Sequence, residues 1–584
     1  MTTETIPLAL YLWKRIHQQG TKSIMGVPGD MNLELLDYVK EVPGLKWIGN
    51  ANELNAAYAA DGYARIKGCP GVLVTTMGVG ELSAINGIAG SYTEQVKVIH
   101  IVGTTSRAMQ EKHLMIHHCL GPNPDHRVYE KMSAHVRCAH AWLDDEKTAV
   151  SEIDRVIRQC WIDSLPAYIF VPMDMVRIPV PVARLDTPVD ISYPSNISTE
   201  ETVLQKIKEA ILKAVKPVLL VDCLVARHEA TKEARELCAL LDIPSFTTPM
   251  GKSIINEAHP RFCGVYNGTV SYTGIKDEIE GSDCVLNLGP LLSDSNTGGH
   301  TREIDSKHVI LVEPASTTVF GDTYSNVYLR PLLSKLLLAL KGVDFPRRPN
   351  PTFPPEPEPP NASAPEITQN YIWKRIGRFS RPGDIVIADC GTAQFGMSGA
   401  TFPSDITYVT QLYFGSIGYS VPSCLGVGLA QREMQADGQA QNGRLILIVG
   451  DGSLQLTVQE IGTIIKHGLT PMIFLINNDG YTIERAIHGP EETYNDITTW
   501  DHTHMLLLFG AKDGDKRTQQ VRLKKEMEVV LDSAQVKVGD QLQLVEVFMD
   551  RMDVPWPLKR QIELITEGMD KAMAMKMRTT EGGK

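Results

Sequence analysis

The sequence predicts an α/β protein made of three doubly wound, mainly parallel sheets, and three observations carry that prediction. Short unbroken apolar runs such as RLILIVG (444 to 450) and MIFLIN (472 to 477) are rich in branched residues, as strands buried on both faces must be. Such runs alternate with helical segments, the pattern of a sheet wrapped by helices. The 584 residues are also too many for one core, and at about 100 to 200 residues per domain three units are expected.

Taken in order, the first unit (1 to 185) holds SIMGVP, LKWIGNA, PGVLVTTMG and KVIHIVG as strands. A weak break at 177 to 196, RIPVPVARLDTPVDISYPSN, separates it from a second unit (195 to 345) with strands PVLLVD, DCVLNLG and HVILVEP. Residues 346 to 365 contain nine prolines, which cannot join a helix interior or a sheet ladder and favour an extended path. This segment is a linker, and a third unit (366 to 570) follows. The outer units echo one another. Trp13-Lys14-Arg15-Ile16 recurs as Trp373-Lys374-Arg375-Ile376, each time on a helix before a strand, SIMGVP or DIVIAD, which points to a duplicated α/β unit.

A net charge of -12 offers no electrostatic footprint for nucleic acid or an anionic membrane surface, so small molecules are the expected partners. Ten cysteines without a CxxC pair indicate neither a zinc site nor a disulfide framework. No leader-like start and no apolar run of membrane-spanning length are evident, and a cytoplasmic protein is expected.

The chemistry concentrates in 450 to 482, GDGSLQLTVQEIGTIIKHGLTPMIFLINNDGYT. Asp451 and Asn478 fall at the carboxyl ends of two strands, the edge where ligands of open α/β sheets collect. Magnesium takes oxygen ligands in an octahedron and keeps waters, so one carboxylate, one amide oxygen and one backbone carbonyl suffice when a diphosphate supplies the rest. Asp451, Asn478 and Gly480 are the expected metal ligands, and Gly452 and Gly480 let the backbone approach phosphate.

GDG, residues 453 to 476, then Asn477-Asn478 resembles the motif of the thiamine diphosphate enzymes. NNDGYTIERAIHGP resembles the pyruvate decarboxylase branch of that family, particularly its fungal members. The resemblance covers nearly the whole chain and implies pyrimidine-binding, central and diphosphate-binding domains in turn. It implies thiamine diphosphate and Mg2+ as cofactors, with Ser453, Tyr481, Thr482 and Ile483 also at the cofactor. In QLYFGSIGYS it implies Ile417 as the wedge that bends the cofactor, Ser416 beside it and the Gly415 carbonyl on the amino group, with Thr392 of DCGTAQF as a further contact.

Thiamine chemistry removes a proton from a very weakly acidic carbon, and a carboxyl group on the cofactor's own aminopyrimidine achieves this. Glu53, in the first turn of an Ala-rich helix with Asn52 or Asn50 as cap, resembles that activating glutamate; its bland reading is an acid favoured by the helix dipole. Decarboxylation of a 2-oxo acid through ylide and enamine then needs proton donors. Asp30, His117, His118 and Glu484 match the family's set, and a histidine titrates near cellular pH. Each also has a structural reading, as helix cap, surface loop or first-turn acid, and the His pair suits a metal although no third ligand is evident. TTMGVGELSAING (75 to 87) does not complete GxGxxG and is expected to be a structural loop near the cofactor.

Gln394 and Ile483 are expected at the methyl end of the substrate. The implied reaction is non-oxidative decarboxylation of pyruvate to acetaldehyde and CO2. A phenylpyruvate or indolepyruvate decarboxylase, a carboligase and a non-catalytic, filament-forming homologue are the alternatives. Because Glu53 and Asp451 lie in different units yet must touch one cofactor, the resemblance implies a homotetramer, a dimer of dimers with Glu53 of one chain serving the other. Cys223 is displaced by one place from the thiol that regulates many fungal relatives, and is expected to be a buried small residue.

Overall fold

A computed structural model describes residues 4–345, 348–356, 358–440, 442–564 and 566. Positions 346, 347 and 357 of the proline-rich segment, and the expected end of the last unit at 570, lie outside the described residues.

Three sheets organise the chain. The first runs Lys46–Trp47, Ser23–Gly26, Gly71–Thr76, Val98–Thr104, Ala167–Pro172, Ala139–Trp142 from edge to edge, all parallel. The last runs Thr407–Val409, Ile385–Ala388, Leu445–Gly450, Met472–Asn477, Gln543–Phe548, Thr518–Val521, again all parallel. Counted along each unit, both sheets have the order 2-1-3-4-6-5. The duplication signalled by the Trp-Lys-Arg-Ile echo is therefore a duplication of topology. Each copy lies on the helix preceding its first strand, Leu8–Gln18 or Gln369–Phe379, with Trp13 and Trp373 buried against the sheet.

The middle sheet has seven strands, five parallel and two antiparallel. Ser316–Val319 and Asp322–Ser325 form a hairpin whose two-residue turn, Phe320 and Gly321, has positive φ at both positions, the geometry that matches strand twist. Among the described residues of 346 to 365 there is no helix or strand, and the segment packs on both neighbours through Arg348 on Glu278 and Glu356 on Lys374.

The two outer units meet through equivalent helices, Glu53–Lys67 and Ser420–Ala436, each following the second strand of its sheet. A Cβ at Gly426 would stand 1.8 Å from the Ala59 carbonyl, so a glycine is what allows this approach. Their buried faces join the cores of both sheets into one cluster with Leu73, Leu447 and Leu475. No helix among the described residues is long and apolar enough to cross a membrane.

Candidate active site

Gly450 pairs with Ile476 on neighbouring parallel strands, so the strand ends deliver Asp451 and Asn478 side by side. Asp451 opens the helix Asp451–Thr457. Its Oδ1 accepts from Gly452 N at 2.9 Å and its Oδ2 from Gly480 N at 3.1 Å. Burial pushes the Asp451 carboxyl up to about 6, against those backbone hydrogen bonds. Gly480 has φ of 111° and a Cβ there would stand 2.5 Å from the Asn495 carbonyl, so no other residue fits this turn.

The Asn478 amide oxygen stands 3.1 Å from Asp451 Oδ1 and 3.2 Å from the Gly480 carbonyl oxygen. Reversed, the amide nitrogen would donate to both and the oxygen would accept from Thr482 Oγ1 at 2.8 Å. Adjacent ligands of an octahedral magnesium ion, at 2.0 to 2.1 Å from the metal, are about 2.9 Å apart. With its oxygen so placed, Asn478 stands at nearly that spacing from a carboxylate oxygen and a backbone carbonyl oxygen, a donor set of the kind that fits a small divalent cation.

These three residues lie on the wall of a cavity of about 220 Å³. The same wall carries Thr392, Gln394, Gly415, Ile417, Gly452, Ser453, Tyr481, Thr482, Ile483 and Glu484. Of the expected cofactor contacts only Ser416 is off it: its hydroxyl bonds the Tyr58 hydroxyl at 2.5 Å and accepts from the Asn86 amide at 3.3 Å. Gln394 is buried, its amide oxygen accepting from Thr410 at 3.4 Å.

The other four expected residues gather on the first sheet, and none of them lines this cavity. Asn52, not Asn50, caps the helix of Glu53, accepting from Asn55 N at 2.8 Å. Asn50 instead accepts from Gly26 N and donates to Glu460. Residues 75 to 87 are not the expected loop but the end of a strand, a turn at Met77 and Gly78, and the start of the helix Val79–Thr93. This turn approaches two of the catalytic candidates, since a Cβ at Gly80 would stand 3.2 Å from Glu53 Oε1 and one at Gly78 2.6 Å from the His118 carbonyl. His117 Nε2 bonds Asp30 Oδ2 at 2.7 Å, and the two imidazoles meet edge to face at 4.6 Å. Asp30 is thus the third group that the sequence left unseen for a metal, and one polar atom from each of the three lies within 4.8 Å of the others. Half of the Asp30 side chain and more than half of His117 remain exposed.

Family models match part of each of the three units in order: the N-terminal TPP binding domain of thiamine pyrophosphate enzymes over residues 7–126, the central domain over 204–329 and the C-terminal TPP binding domain over 389–547. The chain is 43 % identical to a pyruvate decarboxylase of Kluyveromyces lactis over 96 % of its own length and 98 % of the relative's. It is 42 % identical to pyruvate decarboxylase isozyme 1 of Saccharomyces cerevisiae with the same coverage. This chain belongs to the thiamine pyrophosphate enzymes, in their pyruvate decarboxylase branch. A solved thiamine diphosphate-dependent 4-hydroxybenzoylformate decarboxylase of Rhodococcus jostii RHA1 shares the fold, with a TM-score of 0.72, 16 % identity, and coverage of 93 % of this chain and 99 % of the other.

Against the architecture of a thiamine pyrophosphate enzyme, residues that the sequence did not announce become visible. Asp389, at the end of the strand Ile385–Ala388, accepts from Gly418 N at 3.1 Å and Ser420 N at 2.9 Å, so it fixes the turn presenting Ile417. Tyr58 and Asn86 hold the same turn from the other outer unit through Ser416. Ile487, His488 and Tyr494 line a second cavity of about 520 Å³ that shares Ile417, Tyr481 and Glu484 with the first. The words DCG and GSIG hinted at the first group; nothing local in sequence tied Tyr58 or Asn86 to position 416. Cys223 is fully buried, as a small packing residue should be.

Proposed function

We propose that the chain is a magnesium- and thiamine diphosphate-dependent decarboxylase that converts pyruvate to acetaldehyde and CO2. The observation that carries this reading is the approach of the Asn478 amide oxygen to an Asp451 carboxylate oxygen and to the Gly480 carbonyl oxygen on the cavity wall, in a chain 42–43 % identical to pyruvate decarboxylases over nearly its full length. Bound there, the cofactor supplies an electron sink for the carbanion left by loss of CO2. Asp451, Asn478 and the Gly480 carbonyl would hold Mg2+ and through it the diphosphate, with Gly452, Ser453, Tyr481 and Thr482 around them.

Thr392, Gly415 and Ile417 line the same cavity and would hold the ring end of the cofactor, Ile417 as the apolar wedge and the Gly415 carbonyl as an acceptor for its amino group. Glu53 would supply the carboxyl group that bonds a ring nitrogen of the cofactor and makes its amino group more basic. Asp30, His117, His118 and Glu484 deliver and remove protons at the reacting carbon and its oxygen. Gln394 and Ile483 close the pocket at the methyl end. The vestibule with Ile487 and Tyr494 is roomy enough to favour a larger 2-oxo acid as the second reading.

Asp30, Glu53, His117 and His118 complete the cavity of a partner chain in this account. The assembly is a homotetramer, the compartment is the cytoplasm, and the three domains span 1 to 185, 195 to 345 and 366 to 570. Purified protein with thiamine diphosphate and Mg2+, coupled to an NADH-dependent alcohol dehydrogenase, will respond to pyruvate; silence with pyruvate and a response to phenylpyruvate reverses the substrate assignment. Mixing Glu53→Gln with Asp451→Ala protein tests the shared site. Mixed dimers regain one intact site if Glu53 acts across the interface, and none if it acts within its own chain.

A further inference from the structure

Asn478 of the Asn-Asn pair faces the candidate ion; Asn477 faces the other way, into the sheet. Leu475 pairs with Glu546 on the adjacent strand Gln543–Phe548, which puts Asn477 and Glu546 on one face as diagonal neighbours. Asn477 Nδ2 donates to Glu546 Oε1 at 2.7 Å, and its Oδ1 accepts from Asp479 N at 3.4 Å. Asp479, with φ of 58°, and Gly480 form the left-handed turn whose N–H reaches Asp451. Glu546 is 1 % exposed and takes two further donors, His502 Nδ1 at 2.8 Å and Gln520 Nε2 at 2.8 Å. Burial pushes the Glu546 carboxyl up, but the hydrogen bonds from His502, Asn477 and Gln520 outweigh it and hold it below its usual range. An ionised carboxylate only accepts, so Nδ1 of His502 carries a proton. His502 is itself 3 % exposed, and its Nε2 has no partner.

We propose that His502, Glu546 and Asn477 form a buried positioning chain that presets the Asn477–Gly480 turn for a small divalent cation. None of the three touches the ion. They act through Asn477, whose amide is clamped between a fixed carboxylate and the N–H of Asp479, so that the Asn478 amide and the Gly480 carbonyl are aimed before the ion arrives. Outer partners of this kind typically account for about 10- to 100-fold in metal affinity.

The proposal rests on reading Asp451, Asn478 and Gly480 as the cation site, and the test separates the two. Mg2+ is titrated calorimetrically into apo protein at saturating thiamine diphosphate, alongside the melting temperature of the apo protein. His502→Leu and Glu546→Gln are expected to weaken Mg2+ uptake about tenfold or more. His502→Asn, whose amide nitrogen replaces Nδ1, is expected to stay within about twofold of the parent, because the donor to Glu546 is kept. Should the first two fail to fold, Asn477→Ser, at the loop itself, carries the same expected loss. Folded variants with parental Mg2+ affinity, or an equal loss in His502→Asn and His502→Leu, would overturn the positioning role. Absence of Mg2+-dependent uptake by the parent protein would instead remove the cation site.

Discussion

The two outer sheets share one strand order and put opposite chemistry on it. After the third strand of the last sheet, Gly450 leads into Asp451, whose carboxylate is left open toward Asn478. After the third strand of the first sheet, Thr76 leads into Met77, Gly78 and a helix from Val79, and the acid there, Glu81, turns back to accept from Gly78 N at 2.9 Å. Glu81 closes back on the residue that begins its own helix; Asp451 also accepts from its own helix at Gly452 N, but its second oxygen reaches across to Gly480 N on the neighbouring strand's turn. After the second strand the contrast repeats, with Glu53 opening the helix in one unit and the Gly415–Ile417 turn preceding the helix in the other. The frame is duplicated, and in the proposed function the loops at the strand ends divide the labour between grasping a diphosphate and activating a ring.

The largest effect expected from this division is that of Asp451→Ala. Outer-shell changes already cost about 10- to 100-fold in metal affinity, so loss of the carboxylate ligand should weaken Mg2+-dependent cofactor uptake beyond that range, read by calorimetry. Glu53→Gln should lower kcat by about 10² to 10⁴ with cofactor affinity within a few-fold, and a shift of affinity instead of kcat would blur the contrast. Ile417→Ala should reduce kcat by about 100-fold, the typical result of misplacing a reacting group by about 1 Å, again with the diphosphate still held.

The pH dependence separates the two acids further. Asp451 must be anionic to bind the ion, and its carboxyl lies at about 6. Protons compete below that value, so Mg2+ affinity should fall toward tenfold per pH unit below about 6 and be flat above it. Glu81 is pushed up to about 7 by burial. A raised carboxyl means the folded state holds its proton more tightly than the unfolded one, so its contribution to stability is lost as pH rises through the window from 4.5 to about 7. Glu81→Gln, fixed in the neutral form, should therefore gain stability relative to the parent across that window, by up to about 1.4 kcal/mol per pH unit. It should leave Mg2+ uptake unchanged, the smallest effect on the chemistry.

Much of this was legible in the sequence because buried parallel strands are continuous apolar runs. Leu445–Gly450 and Met472–Asn477 fall inside RLILIVG and MIFLIN, and Asp451 and Asn478 follow from where those runs stop. The hairpin at Ser316–Ser325 was not legible, since its strands mix threonine and serine with half-exposed positions. Tyr58 and Asn86 on Ser416, and His502 and Glu546 behind Asn477, were also out of reach. Such pairs are 330 or 358 and 44 or 69 residues apart, and only the tertiary fold sets them side by side. The cap of the Glu53 helix lay between, because Asn50 and Asn52 have equal chemistry and only their partners in the fold separate them, Asn52 accepting from Asn55 N while Asn50 turns to Gly26 and Glu460.

Calorimetric titration of thiamine diphosphate into apo protein, with and without excess Mg2+, asks whether Asp451 anchors the cofactor through the ion. The account predicts saturable uptake that requires Mg2+ and is abolished by Asp451→Ala but kept by Glu53→Gln. Uptake that ignores Mg2+, or survives Asp451→Ala at full affinity, would contradict it.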